Sequence, residues 1–259
     1  MQQLLSKKLI TITIFLLSVC VFSVTACDRA RSRKLTAEDV KTWSARYFSL
    51  ADAGKTRFVC TIQPVRKEKT TQYLLQRQYK ITLGFDSKHK TTGVANIPPL
   101  VKVNDAILNQ ELQELQNYEE FFVNSATNLL TNFYFASPIS LVELKEGSKV
   151  KENTTYLEFN PNHYEREKLL YKKDGSEIEY YNILTPDKPI IISFTDWDGK
   201  KLLNRWEQMG MKNSKTPLVL SVAFEKNQGT PLPSKILVSD GKINENFPTE
   251  FLFKNCSAK

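Results

Sequence analysis

Hydrophobic and polar residues alternate with a period of two along most of the chain. In YLLQRQYKITLGF, residues 73–85, apolar side chains occupy one face, which Arg77 interrupts, and the other face is mostly polar. Alternation of this kind predicts a β-strand with one face buried and the other in water.

A helical pattern extends from about Asn104 to Phe133. Its apolar stripe recurs at steps of three and four residues and contains Leu108, Leu112, Leu115, Glu119, Phe122, Ala126, Leu129 and Phe133. We expect Ile107 and Phe121 to widen this stripe, and prolines on both sides mark its boundaries. The pattern predicts one long amphipathic helix.

A shorter helix is predicted from Thr36 to Gly54. Thr36 has the character of an N-cap, with Asp39 three residues later, and Gly54 is a stop signal. Val40, Trp43, Tyr47 and Leu50 are its apolar residues.

The chain after Pro138 returns to alternating segments. The pairs Asp174-Gly175, Asp198-Gly199 and Asp240-Gly241 mark tight turns, and the first two are expected hairpins. With three strands before the long helix, we count about eleven strands joined by short turns. Short connections imply antiparallel pairing, because parallel strands need helical crossovers. The fold class is therefore α+β, with a large curved antiparallel sheet laid on the long helix in a single domain, residues 36–259.

The N-terminus has the pattern of an export signal. Two lysines precede the uncharged segment LITITIFLLSVCVFSV, and Arg29 begins a basic cluster after it. VTAC, ending at Cys27, resembles the lipobox of bacterial lipoproteins, which implies a signal peptide 1–26, a lipid on Cys27 and a tether 27–35. Two alternatives stay open: a retained membrane helix, and a free cysteine behind an export signal. Asp28 resembles an inner-membrane retention signal of some bacteria, so the choice between inner and outer membrane is left open.

Charge excludes one class of partner. The net charge is +8, but basic and acidic residues are interleaved without a basic stripe, so we expect no nucleic-acid binding. The cluster from Arg29 to Lys34 fits anionic lipid headgroups, and it fits a solvated tether equally well. The expected location is a membrane surface facing the periplasm or the cell exterior.

Cysteine count favours one disulfide. Removal of Cys20 with the signal peptide and lipidation of Cys27 leave Cys60 and Cys256. Two thiols in an oxidising compartment favour a bond between them, and two separate buried thiols are the alternative.

The C-terminal half resembles a known family. ISLVELKEGSKVKENTTYLEFNP and PLPSKILVSDGKINENFPTEFLFKN are similar to segments of LolA/LolB-like proteins, the lipoprotein carriers and receptors of the bacterial envelope. The resemblance implies an unclosed half-barrel wrapped around helices, with an apolar cavity. An anchored Cys27 fits a receptor-like relative better than a soluble carrier.

The sequence shows no motif or cluster of residues typical of catalysis. His89 and His163 lie in polar, loop-like contexts, and no cysteine pair has zinc-ligand spacing. The sequence also lacks a nucleophile motif and a glycine-rich phosphate loop. We expect no enzyme activity, no metal and no cofactor.

The long helix carries the candidate ligand site. Leu115, Glu119, Phe122, Leu129 and Phe133 are predicted to line an apolar cavity for a lipid, an acyl chain or a lipoprotein. Three interpretations of Glu119 stay open: it contacts a ligand headgroup, it pairs with Arg77, or it lies at the rim of a slightly rotated helix, which we favour. The alternative function is a structural or interaction lipoprotein whose cavity is filled by the same aromatic side chains.

Overall fold

A computed structural model describes residues 31–66, 73–74, 77–138, 149–159, 167–182, 189–208, 216–227, 229–239 and 247–259. Cys27, His163 and the Asp240-Gly241 pair lie outside the described residues. What the sequence indicates for these three positions stays a prediction.

The described chain contains thirteen strands and two α-helices. The strands are β1 Arg31–Lys34, β2 Arg57–Pro64, β3 Tyr79–Phe85, β4 Thr91–Asn96, β5 Lys149–Glu152, β6 Tyr156–Phe159, β7 Glu167–Lys172, β8 Glu177–Asn182, β9 Ile190–Trp197, β10 Lys200–Gln208, β11 Leu218–Asn227, β12 Thr230–Ser239 and β13 Glu250–Ala258. The helices are α1 Ala37–Ser44 and α2 Ala106–Leu130, and α2 continues into a π-helical turn, Thr131–Phe135.

All thirteen strands belong to one sheet, in the order β1-β5-β6-β7-β8-β9-β10-β11-β12-β13-β2-β3-β4. Each strand is antiparallel to its neighbours. The sheet is unclosed, because β1 and β4 remain edges, and the predicted α+β class is confirmed. The strands added to the expected eleven are β1 and β5. Residues 31–34 form β1, so part of the segment that we assigned to the tether, residues 27–35, belongs to the sheet.

Antiparallel order places connections of different length at the two rims of the sheet. Five connections of two to five residues lie at one rim, which we call the turn rim: 86–90, 153–155, 173–176, 198–199 and 228–229. Six connections of seven to fourteen residues start from the opposite, loop rim: 65–78, 97–105, 160–166, 183–189, 209–217 and 240–249.

Two of the turns confirm the Asp-Gly interpretation. Asp174-Gly175 joins β7 to β8, and Asp198-Gly199 joins β9 to β10. Asp198 and Gly199 both have positive φ, 47° and 78°. This is the backbone that a two-residue turn of type I′ requires at both central positions.

Helix α1 is shorter than predicted. Thr36 is the N-cap, and its side chain and that of Asp39 form the expected capping box. The helix nevertheless ends at Ser44, because the chain then leaves the helical path to pair with β10. Tyr47 forms a bridge with Lys201, and the Phe48 N–H donates to the Lys201 carbonyl.

Helix α2 packs its apolar stripe on the sheet, but the expected widening of that stripe was wrong. Ile107 is 76% exposed and Phe121 is 49% exposed. At 100° per residue, Phe121 lies about 160° around the helix from Glu119, the centre of the buried face. The stripe widens on the other flank, where Gln116, Val123, Thr127 and Leu130 are buried.

Close approach of α2 to the sheet depends on Gly93 in β4. A Cβ atom placed there would lie 2.0 Å from Thr131 Oγ1 and 3.0 Å from Thr127 Cγ2. Real Cβ contacts are longer, so only glycine leaves room for the helix at this point.

Candidate functional site

A cavity lies between the C-terminal half of α2 and strands β10 and β11. It has a volume of about 240 Å³, and its lining residues are Ser125, Asn128, Leu129, Asn132, Phe133, Trp206 and Leu220. The sheet contributes apolar side chains only, while the helix contributes apolar and neutral polar ones. None of the described residues in this lining carries a charge.

Two of the five predicted cavity residues lie in this lining, Leu129 and Phe133. Leu129 is buried and Phe133 is half-buried. Phe133 also packs on Phe194 of β9, with ring centroids 6.5 Å apart. The C-terminal end of the predicted stripe therefore does meet an open space.

The other three predicted residues lie elsewhere. Leu115 packs with Leu74 and Leu112 in a second small core, which Val101, Val103, Leu108 and Phe247 complete. Phe122 packs against Tyr118 and Phe251. The N-terminal half of α2 is thus covered by side chains from the connections at the loop rim, and its apolar face is filled.

Glu119 is fully buried and paired with Arg66. Arg66 Nε lies 2.5 Å from Glu119 Oε1, and Arg66 Nη2 lies 2.8 Å from Oε2, so the two side chains form a bidentate ion pair. Our favoured interpretation, with Glu119 at the rim of the helix, was wrong. The carboxylate faces the sheet from the centre of the buried stripe.

Arg77 makes a different pair from the one considered. Its guanidinium bonds to Glu120 at 2.5 Å, and its Nε donates to the Tyr79 hydroxyl at 3.0 Å. The Tyr79 hydroxyl donates in turn to Glu119 Oε2 at 2.7 Å. The Arg77 guanidinium therefore reaches Glu119 through Tyr79, and the direct Arg77–Glu119 pair is wrong.

The two guanidiniums also hold the loop rim in place. Arg66 donates to the carbonyls of Leu74 and Arg77, at 2.7 and 3.0 Å. Arg77 donates to the carbonyls of Pro98, at 2.8 Å, and Pro99. Four of the five donors that one guanidinium offers are engaged on Arg66 in these bonds. The network thus ties both neighbouring connections to α2.

Burial keeps the Tyr79 phenol neutral. Removal from water, and then the nearby Glu119 carboxylate, raise the pKa of Tyr79 well above its ordinary value. A neutral phenol is the form that can donate a proton to Glu119. The network therefore combines carboxylates, guanidiniums and one neutral donor, and its groups are engaged with one another.

The disulfide that cysteine count favoured is present. Cys60 of β2 is joined to Cys256 of β13, across a sequence separation of 196 residues. Next to Cys256 the pairing register of β13 shifts, and Asn255 has a positive φ of 53°. The bond links strands from the two ends of the chain.

Among the described residues, no cluster of three or more His, Cys, Asp or Glu side chains could hold a metal ion. His89 is exposed in the turn between β3 and β4. In the same described part of the chain, no helix combines the length and the apolar character needed to cross a membrane.

Sequence reasoning missed the sheet side of the cavity, Trp206 and Leu220. The register of β10 shifts between Leu203 and Arg205, so strict alternation fails at this point. Leu203 and Trp206 pair with the buried residues Phe194 and Ile192, although their spacing of three is odd. The only sequence signal for this wall of the cavity was Trp206, a large aromatic residue in the otherwise polar C-terminal end of β10.

Comparison with known proteins gives no relative. No protein-family model, no curated protein and no solved structure matches this chain.

Proposed function

We propose that this protein is a lipid-anchored protein of the bacterial cell envelope that binds an acyl chain in the cavity between α2 and strands β10 and β11. The anchor is a lipid on Cys27, and the role is in lipid or lipoprotein trafficking. The observation that carries the proposal is the cavity of about 240 Å³ beneath Leu129 and Phe133.

Cavity chemistry supports an apolar ligand. Leu129, Phe133, Trp206 and Leu220 supply hydrocarbon and aromatic surface, and burial of apolar ligand surface against them is favourable. Ser125, Asn128 and Asn132 are hydrogen-bonding groups on the helix side of the same space. This combination of apolar walls with a few polar groups is typical of small-ligand sites.

Cavity size restricts the ligand. A volume of 240 Å³ equals that of about eight water molecules in the liquid, and it falls below the range of roughly 300–1,000 Å³ common for drug-sized ligands. We therefore expect a single acyl segment to enter, with the remainder of the ligand outside. The same small size favours the second candidate, a scaffold lipoprotein without a ligand.

A cavity-filling variant distinguishes these functions. Leu129→Trp places an indole in the space, so binding of a fluorescent fatty acid should weaken at least about tenfold, equivalent to 1.4 kcal/mol. The melting temperature should stay nearly unchanged if the space is open. In a filled core, overpacking costs roughly 1–3 kcal/mol, which lowers Tm by several degrees for a domain of this size.

Phe121→Trp is the matched control, because Phe121 is on the same helix but half exposed and outside the cavity. It should change neither binding nor Tm. No binding by the parent protein, together with a lowered Tm for Leu129→Trp, would establish the scaffold function instead.

The anchor is tested separately. Cys27→Ala should leave an unprocessed precursor that incorporates no radiolabelled fatty acid. Equal labelling of the variant and the parent would refute the anchor at Cys27.

A further inference from the structure

The chain enters the sheet at the turn rim. In β1, Arg31 pairs with Glu152, the last residue of β5, and the connection 153–155 follows directly. Lys34, at the other end of β1, pairs with Lys149. The N-terminal end of β1 therefore lies at the rim that carries the five short turns.

A short segment separates this point from the proposed anchor. Cys27 precedes Arg31 by four residues, and an extended chain gains at most about 3.3–3.6 Å per residue. Arg31 thus lies within about 14 Å of the lipidated residue. An anchored domain therefore keeps the β1 edge of its turn rim close to the bilayer surface.

Strand β1 is fixed to the body of the protein. Arg33 forms ion pairs with Asp39 of α1, at 2.6 Å, and with Glu152 of β5, at 2.9 Å. Hydrogen bonds to β5 hold the backbone along the same strand. Because β1 is bonded to α1 and β5, the anchored end of the chain cannot move independently of the sheet.

A basic corner lies on the same rim, where β2, β3, β4 and β13 begin or end, at the opposite end of the strand order from β1. We define it as Arg57, Lys88, Lys90 and Lys259, all exposed. The Lys259 N–H donates to the Arg57 carbonyl at 2.9 Å, so these two residues are neighbours. Of the other four turns of this rim, 173–176 carries Lys173 and Asp174, 198–199 carries Asp198, and the remaining two carry no charge.

The carboxylates of this corner are fewer than its cations. Asp86 is half-buried, and its carboxylate accepts hydrogen bonds from the N–H groups of Lys88 and Lys90, both at 2.8 Å. Asp52, five residues before Arg57 in the sequence, is also exposed. Phe85, 41% exposed beside Lys88, adds apolar surface. Cations together with an exposed aromatic ring fit a membrane interface.

We infer that the turn rim lies against an anionic phospholipid bilayer, with the basic corner on the lipid headgroups. The inference rests on the lipid anchor of the proposed function, and it does not require the cavity to bind a ligand. Anionic lipid attracts each nearby lysine or arginine, and the attraction decays within a Debye length, so it orients an anchored domain with the basic corner towards the headgroups.

This orientation places the sheet wall of the cavity away from the membrane. Trp206 is two residues from the end of β10, and Leu220 is two residues from the start of β11, both at the loop rim. The cavity would therefore exchange its ligand with a donor in the aqueous compartment.

Lysine acetylation of the lipidated full-length mature protein in vesicles tests the orientation. Lys88 reports on the turn rim, and Lys102, equally exposed in the connection 97–105, reports on the loop rim. In vesicles containing phosphatidylglycerol, acetylation of Lys88 should slow about threefold relative to Lys102, as expected if headgroups cover it two-thirds of the time. Vesicles of phosphatidylcholine alone should give a smaller difference.

Charge reversal supplies the matched variants. Lys88→Glu with Lys90→Glu should abolish the phosphatidylglycerol-dependent protection of Lys259, whereas Lys102→Glu should leave it unchanged. Protection of Lys102 equal to that of Lys88, or no protection of either, would overturn the orientation alone. A Cys27 without lipid mass would overturn the anchor and the orientation together, and the fatty-acid assay with Leu129→Trp reports on the cavity independently.

Discussion

Neutralising Glu119 should destabilise the protein far more than neutralising its neighbour Glu120. Glu119 is fully buried, and the side chain of its partner Arg66 is only 5% exposed. The Glu119→Gln variant keeps the shape of the side chain and leaves the Arg66 charge buried without a counter-charge. Loss of one partner from a buried ion pair costs roughly 3–5 kcal/mol.

The neighbouring carboxylate gives the control. Glu120 also pairs with an arginine, but its side chain is 27% exposed, so water can replace part of the interaction. Arg77 is buried as deeply as Arg66, but without the Glu120 charge it keeps its bonds to Tyr79, Pro98 and Pro99, so we expect Glu120→Gln to cost less, about 1–2 kcal/mol. The two substitutions are identical in chemistry and adjacent on one helix, so the difference reports on the deeper burial and the additional hydrogen bonds of Glu119.

Urea unfolding monitored by circular dichroism is the assay. With an m-value near 3 kcal/mol/M, expected for a domain of this size, Glu119→Gln should lower the midpoint by about 1–1.7 M. Equal midpoints for the two variants would refute the reasoning that the Arg66–Glu119 pair is shielded from water.

A double variant separates the ion pair from its other bonds. Arg66→Met with Glu119→Leu removes both charges, so it should be less destabilised than the sum of the single variants. It should remain below the parent protein, because the carbonyls of Leu74 and Arg77 lose a donor. Strict additivity would show that the two side chains are not coupled.

Three further results are expected. Gly93→Ala should lower the free energy of unfolding in urea by roughly 1–3 kcal/mol, because its Cβ would collide with Thr131. Gly84→Ala is the control and should be tolerated, since its Cβ would meet only the Thr56 carbonyl at 3.4 Å. Equal costs would contradict the close packing of α2. Reduction of the disulfide should lower the free energy of unfolding by about 5 kcal/mol, because a cross-link between residues 196 apart removes that much conformational entropy from the unfolded chain. An unchanged urea midpoint after reduction would contradict this stabilisation. Arg33 holds the pKa of Asp39 well below its usual range, so this stabilisation is fully present above the unfolded pKa near 4 and is lost as pH falls from there through the lower folded pKa. The difference between the urea midpoints of the parent and Arg33→Ala should therefore narrow progressively below about pH 4, and a constant difference would refute the pairing.

Local patterns were sufficient to predict the fold class and several turns. Alternation and short connections indicated one antiparallel sheet, and the Asp-Gly pairs located two hairpins. Thr36 and Asp39 gave the start of α1, because a capping box depends only on residues three apart. These features are encoded by neighbours in sequence, which is why the sequence was informative.

The partners of Glu119 and the walls of the cavity could not be predicted in the same way. Arg66 and Arg77 both precede the helix, and choosing between them requires the paths of two long connections across the loop rim. The register shift in β10 likewise changes which face carries Trp206. The partner of Glu119 and the face that carries Trp206 both depend on tertiary packing, which the spacing of residues along the sequence does not encode.

The two halves of α2 have different consequences for a ligand. The Glu119 carboxylate is occupied by Arg66 and Tyr79, so it is not available to a ligand headgroup. Glu119 is also ten residues from Leu129, about 15 Å along the helix. The polar groups within reach of a ligand are the hydroxyl and amides of Ser125, Asn128 and Asn132, all uncharged. The described residues that line the cavity can recognise an apolar chain, but none of them supplies a charge with which to select an ionic headgroup.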